Sequence, residues 1–213
     1  MARPRKELQI EIEKAALAAT VDLLSTCPVD DISLGRIAKQ IGCSAPALYT
    51  HFSSKSALLR AVHDEGFKMM LEQKLTTAAR HASDPVDRLW EGGLAYLQFA
   101  FENPNLYRLM FDPPKETGVS GNPFETDIGA RCLTVLIGAV EACQAAGYLP
   151  QAEAGKFAFL LWSTVHGAAM LTLLDRAPVP EGEDPRDAAI AAVDALMRFL
   201  IATGPQTKPD ANA

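Results

Sequence analysis

A chain of 213 residues with 48% hydrophobic and 22% charged residues has ample apolar material for a buried core, which excludes disorder throughout. Its formal charge of −6 is the wrong sign for a protein that coats nucleic acid along its whole surface. The average hides an asymmetry, because residues 1–60 hold eight Lys/Arg against six acids and the rest of the chain carries all of the acidic excess.

Taken in order, almost every segment repeats its apolar residues at helical period, and no alternating run bounded by hairpin turns reads as a strand. The chain is therefore expected to be all-α, with about nine helices. Leu8, Ile12, Ala16, Ala19 and Leu23 mark a first helix over residues 7–26, closed by Cys27-Pro28. Ser33 opens a short helix over 33–40 that turns Leu34, Ile37, Ala38 and Ile41 inward, and Gly42 ends it. Ser44 caps a very short third helix, 45–49, with Pro46 in its first turn, where a missing N–H is harmless.

Ser53-Ser54-Lys55 opens a long fourth helix running to about residue 82. Further helices are expected over 85–102, 104–111, 124–146, 151–176 and 185–203. Asn103-Pro104, Asp112-Pro113-Pro114, Gly147 to Pro150 and Pro178 to Pro185 separate them. Residues 204–213 read as a polar, disordered tail.

No run approaches the roughly 18–20 uninterrupted apolar residues of a membrane helix, and residues 1–14 lack the apolar segment of a signal peptide. A cytoplasmic location without a membrane partner is the expectation. Cys27, Cys43, Cys132 and Cys143 include no CxxC pair and stand at no metal-finger spacing from a His, so reduced thiols and no metal or cofactor are expected.

The most specific stretch is residues 33–59, SLGRIAKQIGCSAPALYTHFSSKSALL. A helix, a glycine turn and a short capped helix make a helix-turn-helix, whose second helix presents its N-terminal residues to the major groove of DNA. Ile37, Ala38, Ile41, Leu48 and Phe52 hold such a unit together, leaving Ser44, Ala45, Ala47, Tyr49, Thr50 and His51 outward. In the register of Ala38, Gly42, Ser44, Leu48, Tyr49, Phe52, Lys55 and Leu58, this stretch resembles the N-terminal signature of the TetR family of one-component bacterial regulators.

The resemblance implies a homodimer that places two short third helices in successive major grooves of a near-palindromic operator. It implies backbone contacts from Ser44, Tyr49, His51 and Lys55 and base-edge contacts from Ala45, Ala47 and Thr50. Arg36, on the outer face of the second helix, is expected to add phosphate contacts. Arg3 and Arg5 belong either to a solvated tail or to an arm in the minor groove. The recognition positions are small and nearly apolar, which favours methyl contacts or shape readout over bidentate hydrogen bonds.

A second element, LLWSTVHGAAMLTLL at 160–174, resembles the C-terminal domain of a TetR subgroup marked by a Trp-x-x-x-His-Gly stretch, here Trp162, His166 and Gly167. Trp162 and His166 stand four apart on one helical face. His166 reads either as a hydrogen-bonded core residue or as a polar handle in a ligand cavity. Trp90, Tyr96, Tyr107, Met110, Phe111, Ile137, Trp162, His166 and Met170 supply large apolar groups with a few polar ends. They suit either a plain core or a pocket for a mostly apolar small molecule.

The expected domains are a helix-turn-helix over 1–53 and a helical ligand-binding and dimerisation region over 54–203. In the latter, the last two helices form half of an intersubunit bundle. A dimeric repressor released from operator DNA by a small effector is the leading reading. A small enzyme using His166 or a cysteine is disfavoured, because no base, nucleophile and orienting group stand at interpretable spacing. A ligand-independent DNA-associated protein is disfavoured by the net charge.

Overall fold

The computed structural model describes residues 5–119, 121–149 and 152–202, with side chains from residue 11 onward except that of Glu116. Among the described residues there are nine α-helices and no strand: α1 Arg5–Leu24, α2 Leu34–Gln40, α3 Ala45–Tyr49, α4 Lys55–Arg80, α5 Pro85–Glu102, α6 Pro104–Phe111, α7 Asp127–Ala145, α8 Ala154–Leu173 and α9 Pro185–Ala202. Arg3 and the tail 204–213 lie outside the described residues. Arg5 begins α1, and its side chain also lies outside them.

The helix starts follow local chemistry. Asp84 Oδ1 accepts the Val86 and Asp87 N–H groups at 2.8 and 3.0 Å ahead of Pro85, and Asp184 Oδ1 accepts that of Arg186 at 2.8 Å ahead of Pro185. Sequence reading started α7 at residue 124, but Pro123–Glu125 is a separate 3₁₀ turn. Asn122 accepts the Phe124 N–H at 3.0 Å, and Thr126 Oγ1 then accepts the Gly129 N–H at 3.1 Å, so two consecutive caps divide what the apolar pattern joined. α8 stops where Asp175 takes a left-handed φ of 53°, with the Arg176 N–H returning to Leu171 O at 2.8 Å.

The chain groups into two compact units, Met1–Met69 with Glu102–Gly129, and Met70–Phe101 with Ala130–Ala213. Compactness thus does not divide the chain at residue 53, because α4 is continuous and α6 packs with the N-terminal helices. In the first unit Ile32, Leu34, Ile37, Leu48, Phe52, Leu58 and Val62 are buried. Asn105 Nδ2 donates to Leu24 O at 2.9 Å, closing the end of α1 onto α6. Gly66 lies so close to α6 that a Cβ there would meet Met110 Sδ at 2.6 Å.

In the second unit α8 and α9 pack on each other around Ala158, Leu161, Ala169, Ala189, Val193 and Met197. α7 and α8 are long and apolar enough, by length and composition, to cross a membrane. Their apolar residues are spread over 18-residue windows rather than gathered in one uninterrupted run. α8 also keeps Phe159, Leu160 and Leu171 exposed, and α9 exposes Ile190 and Phe199.

Candidate nucleic-acid interface and ligand cavity

In the first unit, Ser33 Oγ accepts the Arg36 N–H at 3.2 Å, capping α2, and Ser44 Oγ accepts the Ala47 N–H at 3.3 Å, capping α3. Between them, the Gly42 N–H reaches Lys39 O at 3.4 Å and the Cys43 N–H reaches Ala38 O at 3.0 Å. This paired closure of a helix end needs a left-handed residue, and Gly42 supplies it with φ 71°. Ile37 and Ala38 from α2, Leu48 from α3 and Phe52 after it are buried, which fixes the angle between the two helices; Ile41 is only half-buried.

The opposite side presents the residues expected to meet DNA. Tyr49 is 54% exposed, Ser44, Thr50, Arg36 and Lys39 are exposed, and Ala45, Ala47 and His51 are half-buried. Several are also held by the fold. Thr50 Oγ1 donates to Ala47 O at 2.6 Å, tightening the last turn of α3. Lys55 Nζ donates to Asp30 O at 2.9 Å, and Arg36 Nη1 reaches Asp31 O at 3.4 Å. Both cations are therefore anchored on the segment between α1 and α2 while retaining further N–H donors for an anion.

Trp162, His166 and Tyr96 meet in the second unit. The Trp162 Nε1–H donates to Tyr96 Oη at 3.1 Å, and Tyr96 Oη lies 3.1 Å from His166 Nδ1. The tyrosine oxygen accepts from the indole, and it either donates its own proton to Nδ1 or accepts a second bond from a protonated Nδ1, according to the imidazole tautomer. Burial pushes the His166 pKa below its ordinary 6.5, which favours the neutral ring. The Trp162 and His166 rings stack with centroids 5.0 Å apart.

Tyr96 and Trp162 of this triad border a cleft of about 690 Å³, its solvent-facing part included, within the second unit, while His166 stands behind them and is not among the lining residues. Leu89, Gly93, Leu136, Leu161, Val193 and Met197 are among its walls, Tyr96 and Trp162 at its polar edge. The other predicted ligand residues fall elsewhere. Trp90 Nε1 donates to Asp194 at 2.7 Å, and Ile137 and Met170 are half-buried away from the lining. Tyr107, Met110 and Phe111 belong to the first unit, where Phe67, Phe111 and Tyr107 stack in series and Met110 fills the space over Gly66. Aromatic content alone did not separate core from cavity.

Sequence reading missed two cavity residues of another kind, Lys74 and Arg88. The signal was spacing: Lys74 and Ala78 on α4, and Arg88, Gly92 and Tyr96 on α5, each recur every fourth residue and line the same cleft. Lys74 Nζ lies 5.6 Å from the Tyr96 ring centre, and burial holds its pKa below the ordinary lysine value. The four cysteines are free thiols, and burial pushes Cys143 up to about 11 and Cys132 upward, which leaves both protonated and inert at neutral pH.

Residues 89–202 match the family model described as tetracyclin repressor-like, C-terminal domain, and residues 16–62 match that of bacterial regulatory proteins, tetR family. The chain is similar to the nucleoid occlusion factor SlmA of a Marinomonas species, 32% identical over 98 residues that make up 44% of this chain and 47% of that protein. It is also similar to the HTH-type transcriptional regulator EthR of Mycobacterium tuberculosis, 33% identical over 82 residues, 38% of each chain. The chain thus spans less than half the length of these curated relatives.

Among solved structures, a protein of unknown function from Rhodococcus sp. RHA1 superposes with a TM-score of 0.72 at 26% identity, over 89% of this chain and 95% of that one. The first family model alone spans more than half of the sequence and the second covers the helix-turn-helix, so the chain belongs to the TetR family of bacterial regulatory proteins.

Proposed function

We propose that this chain acts in the cytoplasm as a dimeric DNA-binding transcriptional regulator, a repressor that leaves its operator when a small, mostly apolar ligand enters the cleft of the second unit. The observation that carries this reading is the face of α2 and α3. Its inner residues are buried and its geometry is capped at both ends, yet it leaves Tyr49, Ser44, Thr50, Arg36 and Lys39 open to solvent. The exposed residues of this face include a tyrosine, two hydroxyls and two cations, groups that can meet a phosphate backbone and base edges.

Helix-turn-helix function is assigned to residues 1–53 and ligand and dimer functions to 54–203. The dimer reading is supported by Phe159 and Phe199, 64% and 67% exposed on the α8 and α9 pair. A second copy would cover both and account for two helices that are apolar on more than one face. The Trp162–His166–Gly167 stretch supports placement in the Trp-x-x-x-His-Gly subgroup, with His166 acting on the cleft through Tyr96 and Trp162.

Fluorescence anisotropy tests the DNA step, with the purified protein, the duplex immediately upstream of its own gene, and a scrambled duplex. Binding is expected to prefer the upstream duplex, to weaken steeply as salt rises, and to fall about tenfold, about 1.4 kcal/mol, in Tyr49→Ala. Equal affinity for both duplexes would overturn operator recognition in that DNA. It would favour a DNA-associated role of the sort that the name of the nucleoid occlusion relative describes.

A further inference from the structure

The cleft of the second unit is apolar except at Tyr96, Trp162 and two cations, Lys74 and Arg88, and no Asp or Glu is among the described residues that line it. Arg88 Nε is buried and makes no hydrogen bond with the described residues. Lys74 has the Tyr96 ring as its neighbour, and no carboxylate pairs with it among the described residues. Two positive groups set into an apolar wall without a compensating acid are unfavourable in the empty protein.

We propose that the effector is an amphipathic carboxylic acid, its carboxylate seated at Lys74 beside Tyr96 and its hydrocarbon body along Leu89, Leu136, Leu161 and Val193. The proposal rests on the reading of this cleft as the effector site and sharpens it from an apolar ligand to an anionic amphiphile.

Two features support it. A carboxylate supplies acceptors to the Lys74 ammonium, and such charge-assisted bonds are the strong ones in a dry site. In addition, the charge of an arriving anion offsets the cost of burying the Lys74 ammonium, a group that has no acid beside it in the empty protein.

Decanoate, decanol and decylamine, titrated into the full-length protein below their aggregation concentrations, share one chain and differ in head charge. Binding is followed by tryptophan fluorescence and calorimetry. Decanoate is expected to bind at least tenfold more tightly than either other probe, and Lys74→Met is expected to reduce it to the level of decanol while leaving decanol within twofold. Decanol binding as well as decanoate, or no binding by any probe, overturns the proposal.

The comparison among ligands needs only the wild-type chain, so a poorly folding variant does not decide the result. Operator release is read separately by anisotropy. Decanoate that binds in the cleft without releasing DNA leaves the anion site standing and refutes the effector role, whereas failure to bind any operator refutes the regulator reading alone.

Discussion

Protonation of His166 places a charge in a part-buried site against the Trp162 ring and Tyr96, which burial disfavours. Its native pKa lies below the ordinary 6.5, so the unfolded chain takes up that proton first. The fold therefore keeps its full stability above about pH 6.5 and loses part of it as the pH falls toward the native value. Thermal melts of wild type and His166→Gln between pH 7.5 and 5.5 check this, with a smaller drop in Tm expected for the variant. An equal drop would place the pH-sensitive group elsewhere. At this scale the sequence showed that Trp162 and His166 share a helical face, but not that Tyr96, 66 residues before Trp162, joins them, since no local rule links residues on α5 and α8.

Elements were far more legible than sites. The α2–α3 turn is written in three residues, Ser33, Gly42 and Ser44, because caps and a left-handed glycine act within four residues of themselves. Gly42→Ala has no steric neighbour within 4 Å for its added Cβ, so its penalty is that of the left-handed backbone alone, about 1–2 kcal/mol. Ser44→Ala loses one cap bond and is expected to destabilise by about 1 kcal/mol. Urea unfolding measures both, and a neutral Gly42→Ala would mean that the turn is not held as described. The start of α7 differs by three residues from the expected one because the Asn122 and Thr126 caps lie closer together than a helical period can resolve.

For the whole molecule, the two apolar patches around Phe159 and Phe199 make association the expected state. Light scattering at micromolar concentration is expected to return twice the chain mass, and Phe159→Glu combined with Phe199→Glu is expected to return the single chain mass with unchanged helix content. A wild-type protein of single mass would refute the dimer. By itself the sequence determined the all-α class and the helix-turn-helix, because periodicity, capping and turn chemistry are properties of neighbouring residues. Only the tertiary structure decided that Lys74 and Arg88 share one cleft while Tyr107, Met110 and Phe111 enter the core of the first unit. Which helical faces meet depends on side-chain packing between segments far apart in the chain, and an aromatic or a cation carries no mark of which neighbour it will find.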